Sequence, residues 1–278
     1  MRPAVALWGD VTRMSQIAAT PTAPRTEHHE VGLIQRLRRD QPWWLLPLTV
    51  VSVLGGFTLY VVWTAFIESP PGSVNHVSEW GPYLSPFFSP TVWRTGPISP
   101  AIWVLWSPLA FRGSCYYYRK AYYRSFFWDP PACALGELRH REYHGESRFP
   151  GILNNLHRYA LYAAVVILAW LWIDAVQAFT FQGHVWLGLG TGIMLINVIL
   201  LTAYTFSCHS LRHLAGGGLD CYSTARAGLA RNRAWRGLTR LNVNHPMWAW
   251  LSLFSVVITD IYIRLLQHGV FTDPHLFF

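Results

Sequence analysis

The sequence predicts an all-α integral membrane protein, a bundle of five transmembrane helices with its N-terminus cytoplasmic and its C-terminus extracytoplasmic. Three observations carry that reading. Hydrophobic residues make up 52% of the chain and charged residues 13%, against roughly 25% charged in soluble domains. Five apolar runs approach or exceed the ~20 residues needed to cross a bilayer. The basic residues are confined to alternate connecting segments, the signature of cytoplasmic loops.

The elements follow in order. Residues 1–40 form a polar cytoplasmic tail with Pro21, Pro24, the solvated pair His28-His29 and the basic run Arg36, Arg38 and Arg39. No short apolar core with a small-residue cleavage site precedes the first long apolar run, so no secretory signal peptide is expected. Residues 41–278 form the membrane domain, with spans at about 43–67, 98–112, 156–179, 185–209 and 247–266. The second is the weakest, being short and interrupted by Pro100 and Pro108. Proline is better tolerated in membrane helices than in soluble ones.

The charges support keeping that second span. Of 22 Lys and Arg, 20 lie in the tail, between spans two and three, or between spans four and five; only Arg94 and Arg264 lie elsewhere. Removing the span would move a strongly basic loop to the wrong side. The same placement makes the net charge of +8 a topology signal, with membrane lipid and not nucleic acid as its partner. The outer segment 68–97, rich in Pro, Ser and aromatic residues, reads as an ordered loop. Ala215-Gly216-Gly217-Gly218 reads as a flexible end to the fourth helix. Asp174 and Asp260 fall toward the outer helix ends, and Asp260 pairs with Arg264 at helical spacing.

Four cysteines in a chain this long do not make a disulfide framework. Cys115, Cys133, Cys208 and Cys221 all fall on the cytoplasmic side, as do the helix-end residues His157, His209, His213 and His245. Any one of them reads as structural, since free cysteine packs as a small apolar residue. A whole layer of such groups in a membrane protein points to function. Thiolate and imidazole together suit iron or zinc, and two of each are the ligands of a Rieske-type 2Fe–2S centre. The Cys115 to Cys133 gap is similar to the spacing between soluble Rieske boxes, but Tyr117 and Gly136 stand where those boxes carry histidine. Two alternatives stay open. One is a bis-histidine haem b in another quinone oxidoreductase. The other is a membrane diiron hydroxylase or desaturase using His140 with His144 and His209 with His213, each pair at i and i+4 on one helical face.

Several motifs resemble a known family. They are the tyrosine-rich run from Cys115 to Phe127, Asp129-Pro-Pro-Ala-Cys133, Asn155-Leu-His157-Arg-Tyr159, Ser207-Cys208-His209-Ser-Leu-Arg-His213 and Leu241-Asn-Val-Asn-His245. Together they resemble the SdhC-type membrane anchor of actinobacterial succinate dehydrogenase, the single-anchor, haem-less class of complex II. The resemblance covers the chain from about residue 40 onward and excludes the tail. It implies a multi-pass subunit of the bacterial inner membrane that is not an enzyme alone. It also implies docking to the flavoprotein and iron–sulfur subunits, transfer of electrons to quinone, and a place in the respiratory chain and the tricarboxylic acid cycle. A higher oligomer of the complex fits the same reading. The expected 2Fe–2S ligands are Cys115, Cys133, His157 and His245, with Cys208, His209 and His213 as alternates. Arg119, Tyr159, Arg212 and Trp248 are the expected quinone-binding residues, from a search for polar groups in an aromatic setting near the inner face.

Overall fold

The computed structural model of the chain describes residues 42, 44–68, 77–94, 99–126 and 152–277. In order, helix α1 (Leu45–Val62) continues as a wider π turn, Trp63–Ile67, and is followed by a hairpin of β1 (Glu79–Trp80) and β2 (Tyr83–Leu84). Then come α2 (Ala101–Ser114), α3 (Tyr116–Phe126), α4 (Ile152–Gln177), β3 (Thr180–Phe181), β4 (His184–Gly188) and α5 (Leu189–Phe206). The short α6 (His209–Arg212) runs into a π turn, His213–Gly217, before α7 (Gly228–Val243), α8 (His245–Gln267) and β5 (His275–Phe277).

Four helical stretches are long and apolar enough to cross a membrane: Leu45–Ile67, Asn155–Gln177, Leu189–Phe206 and His245–Gln267. They coincide with four of the five expected spans. The run expected at 98–112 is α2, whose 14 residues extend about 21 Å, short of the ~30 Å hydrocarbon core. Its ends are set by Pro100 and by Cys115, where the backbone turns extended at φ −61° and ψ 129°. The span expected from residue 185 begins later, at Leu189. His184–Gly188 instead forms β4, which pairs antiparallel with β3 on one side and β5 on the other. Hydropathy alone does not separate an apolar strand from the start of an apolar helix.

The main packing joins α5 to α8, α2 to α4, and α4 to α5. Helix α2 runs from one buried cluster, shared by Ala65, Val77, Phe88 and Ala101, to another, shared by Phe111, Cys115, Leu161, Tyr204, Cys208 and Ala249. The bundle therefore has an aspartate end and a cysteine end.

At the aspartate end, three carboxylates hold the segment around the β1–β2 hairpin. Tyr83 Oη donates to Asp273 at 2.6 Å, Ser85 Oγ donates to Asp260, and Ser89 Oγ donates to Asp174. Asp260 also accepts from Tyr60 Oη at 2.6 Å and from Arg264 Nε at 2.8 Å. Arg264 reaches Glu68 at 2.8 Å as well. The expected Asp260–Arg264 pair is thus the centre of a larger buried network. Close packing demands glycine at position 190, where an added Cβ would lie 2.4 Å from the Tyr83 ring.

The segment at 215–218 is not a helix end. Helix α5 has already stopped at Phe206, and Gly216 is buried in the π turn. A Cβ there would meet the Arg231 carbonyl and the Tyr222 hydroxyl, each at 3.0 Å.

Candidate metal centre

Two helices stop in the same way at the cysteine end. Helix α2 ends on Ser114 and α5 is capped by Ser207. Each serine is followed by an extended cysteine, Cys115 at φ −61°, ψ 129° and Cys208 at φ −61°, ψ 135°. Such a break turns the cysteine side chain out of the helical ladder and leaves the serine hydroxyl beside it. Two histidines come from the N-terminal ends of α4 and α8, His157 in the second turn of α4 and His245 as the first residue of α8.

The four groups interlock crosswise. Ser114 Oγ lies 2.9 Å from His157 Nδ1, and His157 Nε2 lies 3.1 Å from Cys208 Sγ. Ser207 Oγ lies 2.7 Å from His245 Nδ1, and His245 Nε2 lies 3.4 Å from Cys115 Sγ. Each Ser–Cys step therefore orients one histidine with its hydroxyl and meets the other with its thiol. A hydrogen bond to the far ring nitrogen is the usual way a metal-bound imidazole is oriented.

The setting is apolar and aromatic. Phe111 stacks on His157 with centroids 4.8 Å apart, and Tyr204 stacks on His245 at 5.2 Å. Phe111 and Tyr204 meet edge-on at 5.4 Å, which joins the two pairs. Burial pushes both the Cys115 and Cys208 thiols above the usual cysteine value. They are neutral thiols at pH 7, and a bound metal displaces their protons. Arg112 lies over the Tyr204 ring at 4.5 Å. Its guanidinium donates to Tyr118 Oη at 2.6 Å, Ala249 O at 3.1 Å and Ser252 Oγ at 2.9 Å.

Among the described residues, no three His, Cys, Asp or Glu side chains converge on one metal-sized point; the donors form two pairs. The Cys208–His157 and Cys115–His245 contacts, at 3.1 and 3.4 Å, are thiol–imidazole hydrogen bonds that gather the four donors in one layer. Among the described residues, two buried donors beside the pairs have no hydrogen-bond partner, Tyr204 Oη and Trp248 Nε1. Native structures rarely leave such groups unused.

A cleft of about 570 Å³ begins beside this layer. Arg112, Tyr118, Tyr122 and Tyr204 line its near end, Ser107 its middle, and Phe66 and Phe87 its far end. The Ser107 hydroxyl is buried and makes no hydrogen bond among the described residues.

Residues 45–269 match the family model of the actinobacterial succinate dehydrogenase subunit SdhC. The chain belongs to that family. The fold is similar to a chain of the solved structure titled "Mycobacterium smegmatis Sdh1 complex in the apo form", with a TM-score of 0.73 and 39% identity over 90% of this chain and 96% of that one. No curated protein matches the sequence.

Within this family member, three of the four expected ligands meet: Cys115, His157 and His245. Cys133 lies outside the described residues, as do His140 and His144. Cys208, an alternate, occupies the fourth corner. The other alternates, His209 and His213, are exposed. None of the four residues expected around quinone lines the large cleft. Arg119 lies over the Tyr116 ring at 5.6 Å, Tyr159 is 69% exposed, and Arg212 donates to Thr239 at 3.0 Å while covering Trp235. Trp248 packs against the cluster that contains Cys115 and Cys208. Sequence reasoning missed Ser114, Ser207, Arg112 and Tyr204. The repeated Ser-Cys step at two helix ends was the available signal.

Proposed function

We propose that the chain is the five-span membrane anchor of a succinate dehydrogenase in the bacterial inner membrane. It docks the iron–sulfur subunit, which carries the flavoprotein subunit, at the cysteine end. It delivers electrons to quinone through a 2Fe–2S centre held by Cys115, Cys208, His157 and His245. The crossed Ser–His–Cys pairs are the observation that carries this reading. When bound, the cluster supplies a one-electron carrier. The chain fixes both imidazoles through Ser114 and Ser207, excludes water with Phe111 and Tyr204, and holds a half-buried cation, Arg112, nearby.

Support for the fifth span comes from α2, which runs between the same two ends as the four longer helices. The positive-inside pattern assigns the cysteine end to the cytoplasm. Quinone occupies the cleft, an apolar channel with a few polar groups, Ser107, Arg112 and Tyr204, at one side. A haem b reading fares less well. It needs two imidazoles facing each other across the porphyrin, whereas both Nε2 atoms turn to thiols and both rings stack on aromatic neighbours.

The test compares two activities of the assembled complex. Cys208→Ser is expected to abolish succinate-driven quinone reduction and to retain succinate oxidation by a soluble artificial acceptor. Full quinone reduction in that variant would refute the electron path.

A further inference from the structure

Helix α2 brings an unused donor and an unused acceptor to the middle of the cleft. Val104, Ser107 and Pro108 all line it. Ser107 is 0% exposed, and its hydroxyl has no hydrogen-bond partner among the described residues. Pro108 lies inside the helix and has no N–H, so the Val104 carbonyl, four residues earlier, loses its helical partner. In a membrane helix a carbonyl freed by proline is commonly re-satisfied by a nearby serine or threonine hydroxyl. Ser107 stands one turn from Val104 on the same helix face, yet it makes no such bond. Comparable hydroxyls of the bundle do bond to their own helix: Ser114 to Ala110 O at 2.6 Å, Thr202 to Val198 O at 2.7 Å and Thr259 to Ser255 O at 2.8 Å. Ile102, Trp106 and Leu109 line the same cleft and are exposed on the outside of the bundle, so an apolar ligand reaches it from the bilayer.

A buried polar group left unpaired is costly, so this pair marks the place of a polar atom on an otherwise apolar ligand. The two groups discriminate between ligand oxygens. A carbonyl oxygen accepts from the Ser107 hydroxyl and has no hydrogen for the Val104 carbonyl. A hydroxyl donates to the Val104 carbonyl and accepts from Ser107 at once. We propose that Ser107 and the Val104 carbonyl form a subsite for one headgroup oxygen of the quinone, and that it holds this oxygen more tightly as a quinol hydroxyl than as a quinone carbonyl. This rests on reading the cleft as the quinone site. Reduction of the headgroup adds two electrons, drawn from succinate through the partner subunits, and two protons, which turns both carbonyl oxygens into hydroxyls. Ser107 keeps its own proton throughout. It is a specificity-determining residue, and Pro108, by withholding an N–H, makes the subsite sensitive to the oxidation state of the ring.

The experiment measures quinone reduction by the intact complex with a short-tailed naphthoquinone, and its inhibition by the corresponding quinol. Rates are normalised to succinate oxidation by a soluble artificial acceptor, which reports assembly. Ser107→Ala removes a bond common to both forms and is expected to raise the quinone KM and the quinol Ki together, by a few-fold to about tenfold. Ser107→Thr, which keeps the hydroxyl, is expected to stay close to wild type. Pro108→Ala returns an N–H to the Val104 carbonyl and is expected to raise the quinol Ki alone. Unchanged constants in Ser107→Ala, or equal effects on quinone and quinol in Pro108→Ala, overturn the proposal. An azidoquinone photolabel separates that failure from failure of the broader reading. Label on cleft-lining residues of the wild type is expected, and label confined to other residues would remove quinone from the cleft altogether.

Discussion

The Ser114 hydroxyl lies 2.9 Å from His157 Nδ1, yet that histidine meets Cys208 and not Cys115, the neighbour of Ser114. The crossing ties the end of α2 to α4 and α5, and the end of α5 to α8 and back to Cys115.

Ser114→Ala and Ser207→Ala are each expected to leave the fold intact and weaken metal retention. Loss of a partner that orients a ligand typically costs about 10- to 100-fold in affinity. Iron content after dialysis against a chelator measures the effect. The double variant is expected to lose more than either single one.

Cys208→Ser is expected to remove the centre as completely as Cys115→Ser, while Cys133→Ser retains it. Iron and acid-labile sulfide counts on the purified complex separate these cases. Iron loss in Cys133→Ser together with retention in Cys208→Ser would restore the ligand set that sequence alone favoured.

At the other end, Arg264→Met would leave Asp260 buried without its cation. Removing one partner of a buried pair costs about 3 to 5 kcal/mol. A marked fall in Tm of the detergent-solubilised complex is expected, larger than that of Arg94→Met, whose pair with Glu79 is solvent-exposed.

Cys221 is exposed, and its hydrogen bond with Ser223 brings its thiol down to about 7. The thiolate is the reactive form, so maleimide labelling is expected to rise as pH passes about 7. Cys115 and Cys208, buried and shifted upward, are expected to stay unlabelled. A membrane-impermeant reagent should reach Cys221 only from the cytoplasmic face, which also tests the orientation.

Much of this architecture was legible in the sequence because a membrane span is a long-range average over some twenty residues. The four long helices follow from hydropathy alone. Helix α2 needed the charge pattern, since Pro100 and Cys115 cut it short. The strand at His184–Gly188 was illegible because it depends on pairing with Phe277, Leu276 and His275. The donor layer was legible in kind: Cys115, His157 and His245 stand at helix ends that alternating topology brings together. Cys208 joins that layer only in three dimensions, while Cys133 lies outside the described residues. The quinone candidates were chosen by residue type and depth, and those criteria do not reveal a cleft. Arg112 and Tyr204 line it because α2 and α5 meet there.

The most direct test of the account is the low-temperature EPR spectrum of the reduced, intact complex, wild type against His157→Ala. A 2Fe–2S signal of the kind given by mixed histidine and cysteine ligation is expected in the wild type and absent from the variant, with the partner subunits' signals unchanged. Identical spectra from the two proteins would contradict it.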